Sequence, residues 1–337
     1  MLATRTQDAC APYLSVLTVS ANRSASLKWP TARGRSLRRD STMTQPDLTG
    51  IIDTVLHPTD FSEGSLVAFH HALKAALLAK SRLTLLNVSP NGESHMADFP
   101  AVRETLERWG ELPPGSPRSA VAQLGLRVEK VIADRDDPVK TVLGFLHHQR
   151  VDLIVLATSD HNGRVRWLGK SVSQPIARTS WQMTLFIPAN SKGFVSPEDG
   201  SVSVKRIVIP IAKNPTAQPA VNAAARLVQQ LAGPQGEFCL MHVGDSSSMP
   251  AVHCPDVEGW TWSKELRSGD VIQSIVGVAK DAQADLIVMS TDGRNEFLDS
   301  LRGSHSERVL GHGVAPMLTV PVGALAAIKE GENDQFD

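Results

Sequence analysis

Val151-Asp152-Leu153-Ile154-Val155-Leu156 returns 133 residues later as Ala284-Asp285-Leu286-Ile287-Val288-Met289. Leu185-Phe186-Ile187-Pro188 returns at the same offset as Leu318-Thr319-Val320-Pro321. Upstream, Thr54-Val55-Leu56-His57-Pro58 matches Arg206-Ile207-Val208-Ile209-Pro210 at an offset of 152. Self-similarity over this length means that one domain has been written twice. The 19-residue difference between the offsets is a difference in loop length. The first copy carries a long, Pro- and Gly-rich excursion over residues 89–125, and the second a shorter one over 244–259.

Within each copy, short runs of Val, Ile and Leu bounded by turn residues alternate with segments of helical periodicity, which is the pattern of βαβ units. The first copy reads as strands over 53–57, 83–88, 126–132, 152–157 and 183–187; the second as strands over 207–211, 237–243, 260–266, 285–289 and 317–320. Ser62 is placed to cap a helix whose Leu66, Phe69, Leu73, Ala76 and Leu77 form a core face. The expected fold is α/β: two tandem doubly wound, Rossmann-like domains, each on a five-stranded parallel sheet. The boundaries are an N-terminal extension over 1–46, a first domain over 47–190, a linker over 191–203, a second domain over 204–324 and an acidic tail over 325–337. The extension is basic and Ser-rich and shows no core element, so it reads as disordered or as a mis-assigned start upstream of Met43.

Composition narrows the function classes. At 42% hydrophobic and 20% charged residues the 337-residue chain is globular, and no apolar run approaches the ~18 residues of a membrane span. Lys plus Arg, at 34, nearly cancels Asp plus Glu, at 35, leaving no global field to attract nucleic acid or a membrane surface. The three cysteines form no disulfide framework and no CxxC motif, which points to a reducing cytoplasm.

A doubly wound sheet binds ligands outside the carboxyl ends of its strands, where the strand order reverses. The residues there are Pro58-Thr59-Asp60 in copy one, and in copy two Pro210 and Ile211, then Ser290-Thr291-Asp292-Gly293-Arg294 and Gly303-Ser304-His305. Asp60 could accept hydrogen bonds from a ribose or an adenine amino group. Gly293 and Gly303 allow close backbone approach, the N–H groups near Ser304 favour an anion, and Arg294 adds a charge-assisted partner. Gly163 to Ser171 imitates a P-loop, but five residues separate its glycines and it follows no strand directly; Lys170 and Ser171 could at most hold an isolated anion. His242, His253 and Cys254 lack zinc spacing, Trp260 and Trp262 fall on one strand face as packing residues, and no nucleophile, base and orienter can be assembled.

These stretches resemble the universal stress protein family, whose members carry Pro-x-Asp after strand one. In the ATP-binding subgroup a Gly-x2-Gly-x9-Gly-Ser/Thr stretch follows strand four. The resemblance covers residues 50–323 as two copies and implies a five-stranded parallel sheet per domain, pairing along the last strand, and ATP or AMP binding in some members. Copy one keeps Asp60 but has Ala157, Asp160, Lys170 and Ser171 in place of the three glycines and hydroxyl; copy two has Gly293, Gly303 and Ser304, with Ser290 for the first glycine and Ala212-Lys213 where the carboxylate belongs. Each copy thus retains a different half of the site. The expectation is a cytoplasmic stress protein, not an enzyme, with its domains paired within the chain and a further homodimer left open. It binds ATP or AMP, with or without Mg²⁺, chiefly in the second domain, and hydrolyses it inefficiently; the competing expectation is a nucleotide-free interaction scaffold.

Overall fold

The computed structural model describes residues 52–89, 92–158, 181–188, 191–231, 235–292 and 305–322, with residues 16–18 as backbone. In the first domain β2 (Thr54–Pro58), β3 (Arg82–Val88), β4 (Arg127–Ala133), β5 (Leu153–Thr158) and β6 (Met183–Pro188) form a parallel sheet in the order β4-β3-β2-β5-β6. The second domain repeats it with β7 (Arg206–Pro210), β8 (Gly236–Val243), β9 (Trp260–Arg267), β10 (Leu286–Thr291) and β11 (Met317–Pro321), ordered β9-β8-β7-β10-β11. A three-residue strand β1 (Val16–Thr18), within the segment set apart as an extension, lies antiparallel on the edge of β4.

The two sheets become one through β6 and β11, which pair antiparallel with Leu185 opposite Leu318. Because every other strand of a domain runs parallel to its β6 or β11, the carboxyl ends of the two parallel sets emerge on opposite edges of the continuous sheet. Helices α1 (Glu63–Leu78) and α5 (Gln218–Leu231) cover one face and share a core cluster that runs across the seam. On the other face α4 (Pro138–His148), α6 (Val271–Asp281) and α7 (His305–Leu310) pack over a second cluster. Each fully buried Leu or Phe in these clusters contributes about 2 kcal/mol. No described helix is long and apolar enough to cross a membrane.

The repeated Asp of the opening motif has a structural duty. Asp152 Oδ2 accepts from the Asp53 and Thr54 N–H groups at 2.9 and 3.0 Å, and Asp285 Oδ2 accepts from Lys205 and Arg206 at 2.8 and 2.9 Å. Each carboxylate pins the start of its domain's first strand to its fourth. Ser62 caps α1 through Ser65 N–H, as its position suggested. Leu66 departs from the expected core face: it is 45% exposed, because the buried face of α1 is centred on Ser65, Ala68, Ala72 and Ala76 and Leu66 lies past its edge.

The 89–125 excursion is itself built into the core. It contains α2 (Val102–Arg108) and α3 (Ala120–Gln123), and its Phe99, Val102, Leu106 and Trp109 are buried on the α1 face. The linker is docked too: Phe194 and Val195 are buried, Val195 bridges Val202, and the Pro197 carbonyl accepts from Arg108 Nε and Trp109 Nε1. Gly193 and Gly200 lie at positive φ (67° and 68°) with an added Cβ only 2.1 Å from His71 and 2.5 Å from Trp109, so only glycine fits either turn. These contacts bury both His70 and His71, where helix position alone suggests one inside and one outside.

Candidate functional site

In the second domain the strand order reverses between β7 and β10, and a crevice of about 180 Å³ opens there at the carboxyl edge. Its walls come from five places. Pro210 ends β7 and Ile211, Ala212 and Asn214 follow it; Met241 and His242 lie near the end of β8; Val271 and Ile275 belong to α6; Met289 and Ser290 lie near the end of β10; His305 and Ser306 start α7. The lining is apolar at the level of the strands and polar toward α7.

Hydrogen bonds fix several polar groups in and beside the lining. Ser290 Oγ accepts from Ala220 N–H at 3.2 Å, satisfying a donor in the first turn of α5, and its own O–H has no acceptor among the described residues. The His242 ring hydrogen-bonds through Nδ1 to the Ile211 carbonyl at 2.8 Å, where it must donate, and its Nε2 lies 3.1 Å from Ser248 Oγ. His242 is therefore a rigid wall. Asp270 caps α6 by accepting from Gln273 N–H at 2.9 Å, and that bond foremost holds its carboxyl below the usual range. His305 is exposed at the mouth.

Of the residues singled out from the sequence, Pro210, Ile211, Ser290 and His305 meet in this crevice. Thr291 ends β10 beside it, its carbonyl accepting from Val322 N–H at 2.9 Å. Gly293, Arg294, Gly303, Ser304 and Ser171 lie outside the described residues. Asp60 stands at the end of β2, on the opposite edge of the sheet. Its Oδ1 accepts from Ser62 N–H and O–H at 3.1 and 2.7 Å, and its Oδ2 is buried without a partner among the described residues. The two half-sites are thus separate places in one molecule.

The walls contributed by Met241, Val271, Ile275 and Met289 escape sequence reasoning, because each reads as an ordinary apolar packing residue of its strand or helix. His253 exchanges hydrogen bonds with the Gln218 side chain through its backbone, and Trp260 and Trp262 pack on Phe238, with ring centroids 4.7 and 4.1 Å away.

Fold and crevice together define a class: a fused pair of doubly wound α/β domains with an open crevice at the switch point of the second. The chain belongs to the universal stress protein family, whose sequence pattern matches residues 52–188 and 258–321, more than half of its length. The match omits the stretch holding Ala212 and Lys213, where the second copy lacks the carboxylate. No curated protein matches the chain. Among solved structures, it resembles a universal stress protein from Archaeoglobus fulgidus DSM 4304, with 17% identity, a TM-score of 0.51, and coverage of 80% of this chain and 98% of that one. It also resembles a protein of unknown function from Pseudomonas aeruginosa PAO1, with 12% identity, a TM-score of 0.53, and coverage of 86% and 100%. At these identities the likeness is one of fold.

Proposed function

We propose that the chain is a cytoplasmic stress-response protein that binds ATP or AMP in the second-domain crevice and does not turn it over efficiently. The observation that carries this reading is the convergence of Pro210, Ile211, Ser290 and His305 on one cavity at the switch point. Its apolar walls suit the faces of a base, the Ser290 O–H offers a directed donor, and the phosphates would lie at the mouth, toward His305. Mg²⁺ would then be held by the phosphates and water. In support of inefficient hydrolysis, His242 of the lining is tied at both ring nitrogens and so is not free to orient an attacking water.

Calorimetric titration of the full chain with ATP and with AMP, with and without Mg²⁺, tests the reading. Saturable binding lost in Gly303→Asp, which sets a carboxylate where phosphate should lie, is the expected result. No heat from either protein would instead favour a nucleotide-free scaffold. One observation supports that second reading: the carboxylate suited to adenosine survives only in the first domain, where it is turned onto Ser62.

A further inference from the structure

A second cavity, of about 100 Å³, lies on the seam between the domains and on the opposite face from α6 and α7. Its position follows from the internal repeat. Ala68, Ala72 and Ala76 of α1 are buried as Ala220, Ala224 and Val228 of α5 are, at the same offset of 152, so the two helices lie equivalently over the joined sheets. Under that equivalence Lys74 corresponds to Arg226, and both line the cavity; its floor includes Leu185 and Leu318, which are equivalent and also paired across the seam. The docked linker adds Phe194 and Val195 to its walls.

The two cations are not in equivalent states. Lys74 is neutralised by Glu111 at 3.1 Å and lies 5.7 Å over the Trp109 ring, both supplied by the excursion that only the first domain has. Arg226 is half-buried beside the same apolar floor and has no carboxylate partner among the described residues. A guanidinium held against hydrocarbon is satisfied best by a planar carboxylate, and the floor by an alkyl chain. Among the described residues the cavity lining thus carries one unpaired positive charge.

We infer that this seam cavity is a binding site for an aliphatic monocarboxylate, its chain over Leu185 and Leu318 and its head on Arg226. The site is distinct from the strand-end crevice and does not depend on nucleotide binding there. The test is calorimetry on the full chain with decanoate, with decanol as the uncharged comparison, for the parent protein and for Arg226→Leu, Arg226→Lys and Ala75→Phe, each checked for an unchanged melting transition. The proposal expects saturable decanoate binding, weakened about tenfold or more by Arg226→Leu, partly kept by Arg226→Lys and lost in Ala75→Phe, which fills the cavity from α1. Decanol should bind more weakly and be indifferent to Arg226→Leu. Absence of saturable decanoate binding, binding unchanged by Ala75→Phe, or binding that Arg226→Leu leaves intact would each overturn it. Should Ala75→Phe not fold, the Arg226 pair decides the outcome alone.

Discussion

His71 is committed to the neutral state by its partners. The Val67 carbonyl can only accept, so Nδ1 at 2.8 Å carries the proton; the Phe194 and Val195 N–H groups can only donate, so Nε2 at 2.9 and 3.3 Å must be bare. Burial lowers its pKa to about 4, and burial likewise brings His57, whose Nδ1 bonds the Val155 carbonyl, to about 4. In the unfolded chain both titrate near the ordinary value of 6.5. Between those two values the unfolded state binds more protons, so stability is full above about pH 6.5, falls as the pH drops toward 4, and stops falling below it. Fully expressed, the loss is on the order of 3 kcal/mol for each ring. Denaturant midpoints measured from pH 7.5 to 4 should show this decline; a flat profile would mean that the rings are not buried as described.

At the scale of elements, Asp152 and Asp285 tie each first strand to its fourth. Asp152→Ala leaves the Asp53 and Thr54 N–H groups without their acceptor and should cost about 2 kcal/mol in urea unfolding, with no change in the crevice of the second domain. Strands were the most legible elements, because buried parallel strands are short apolar runs fenced by turns. All ten strand readings fall within about a residue or two of the observed bounds. The excursion was less legible. Phe99, Val102, Leu106 and Trp109 do carry a helical spacing, but Pro90, Pro100, Pro113, Pro114 and Pro117 around them read as loop, and only packing on α1 decides otherwise. The crevice was half legible for a related reason. Strand-end residues are fixed by topology, whereas Val271 and Ile275 enter from a helix packed beside the strand ends, a tertiary contact that no local pattern encodes.

For the whole molecule, the seam dominates. All six residues of β6 are buried, and Thr319 Oγ1 donates to the Thr184 carbonyl across the joint at 3.3 Å. Expressed alone, residues 47–203 would present β6 as a flat apolar edge, the kind of surface that recruits another strand. Light scattering on that fragment should therefore report twice the fragment's own mass, a dimer closed through β6. A monomeric, soluble fragment would show that the linker hairpin and α1 suffice to shield the edge.

The joint at β6 and β11 also frees the molecule from a rule that binds symmetric assemblies. In a homodimer every substitution arrives twice, so a pocket cannot be dismantled on one side and kept on the other. Covalent fusion lifts that constraint. Asp60 in one half and Ala212 in the other, or a Lys74 paired with Glu111 facing an Arg226 without a carboxylate partner among the described residues, are divergences that a homodimer cannot hold. Its two halves can therefore specialise for different ligands while still sharing one frame.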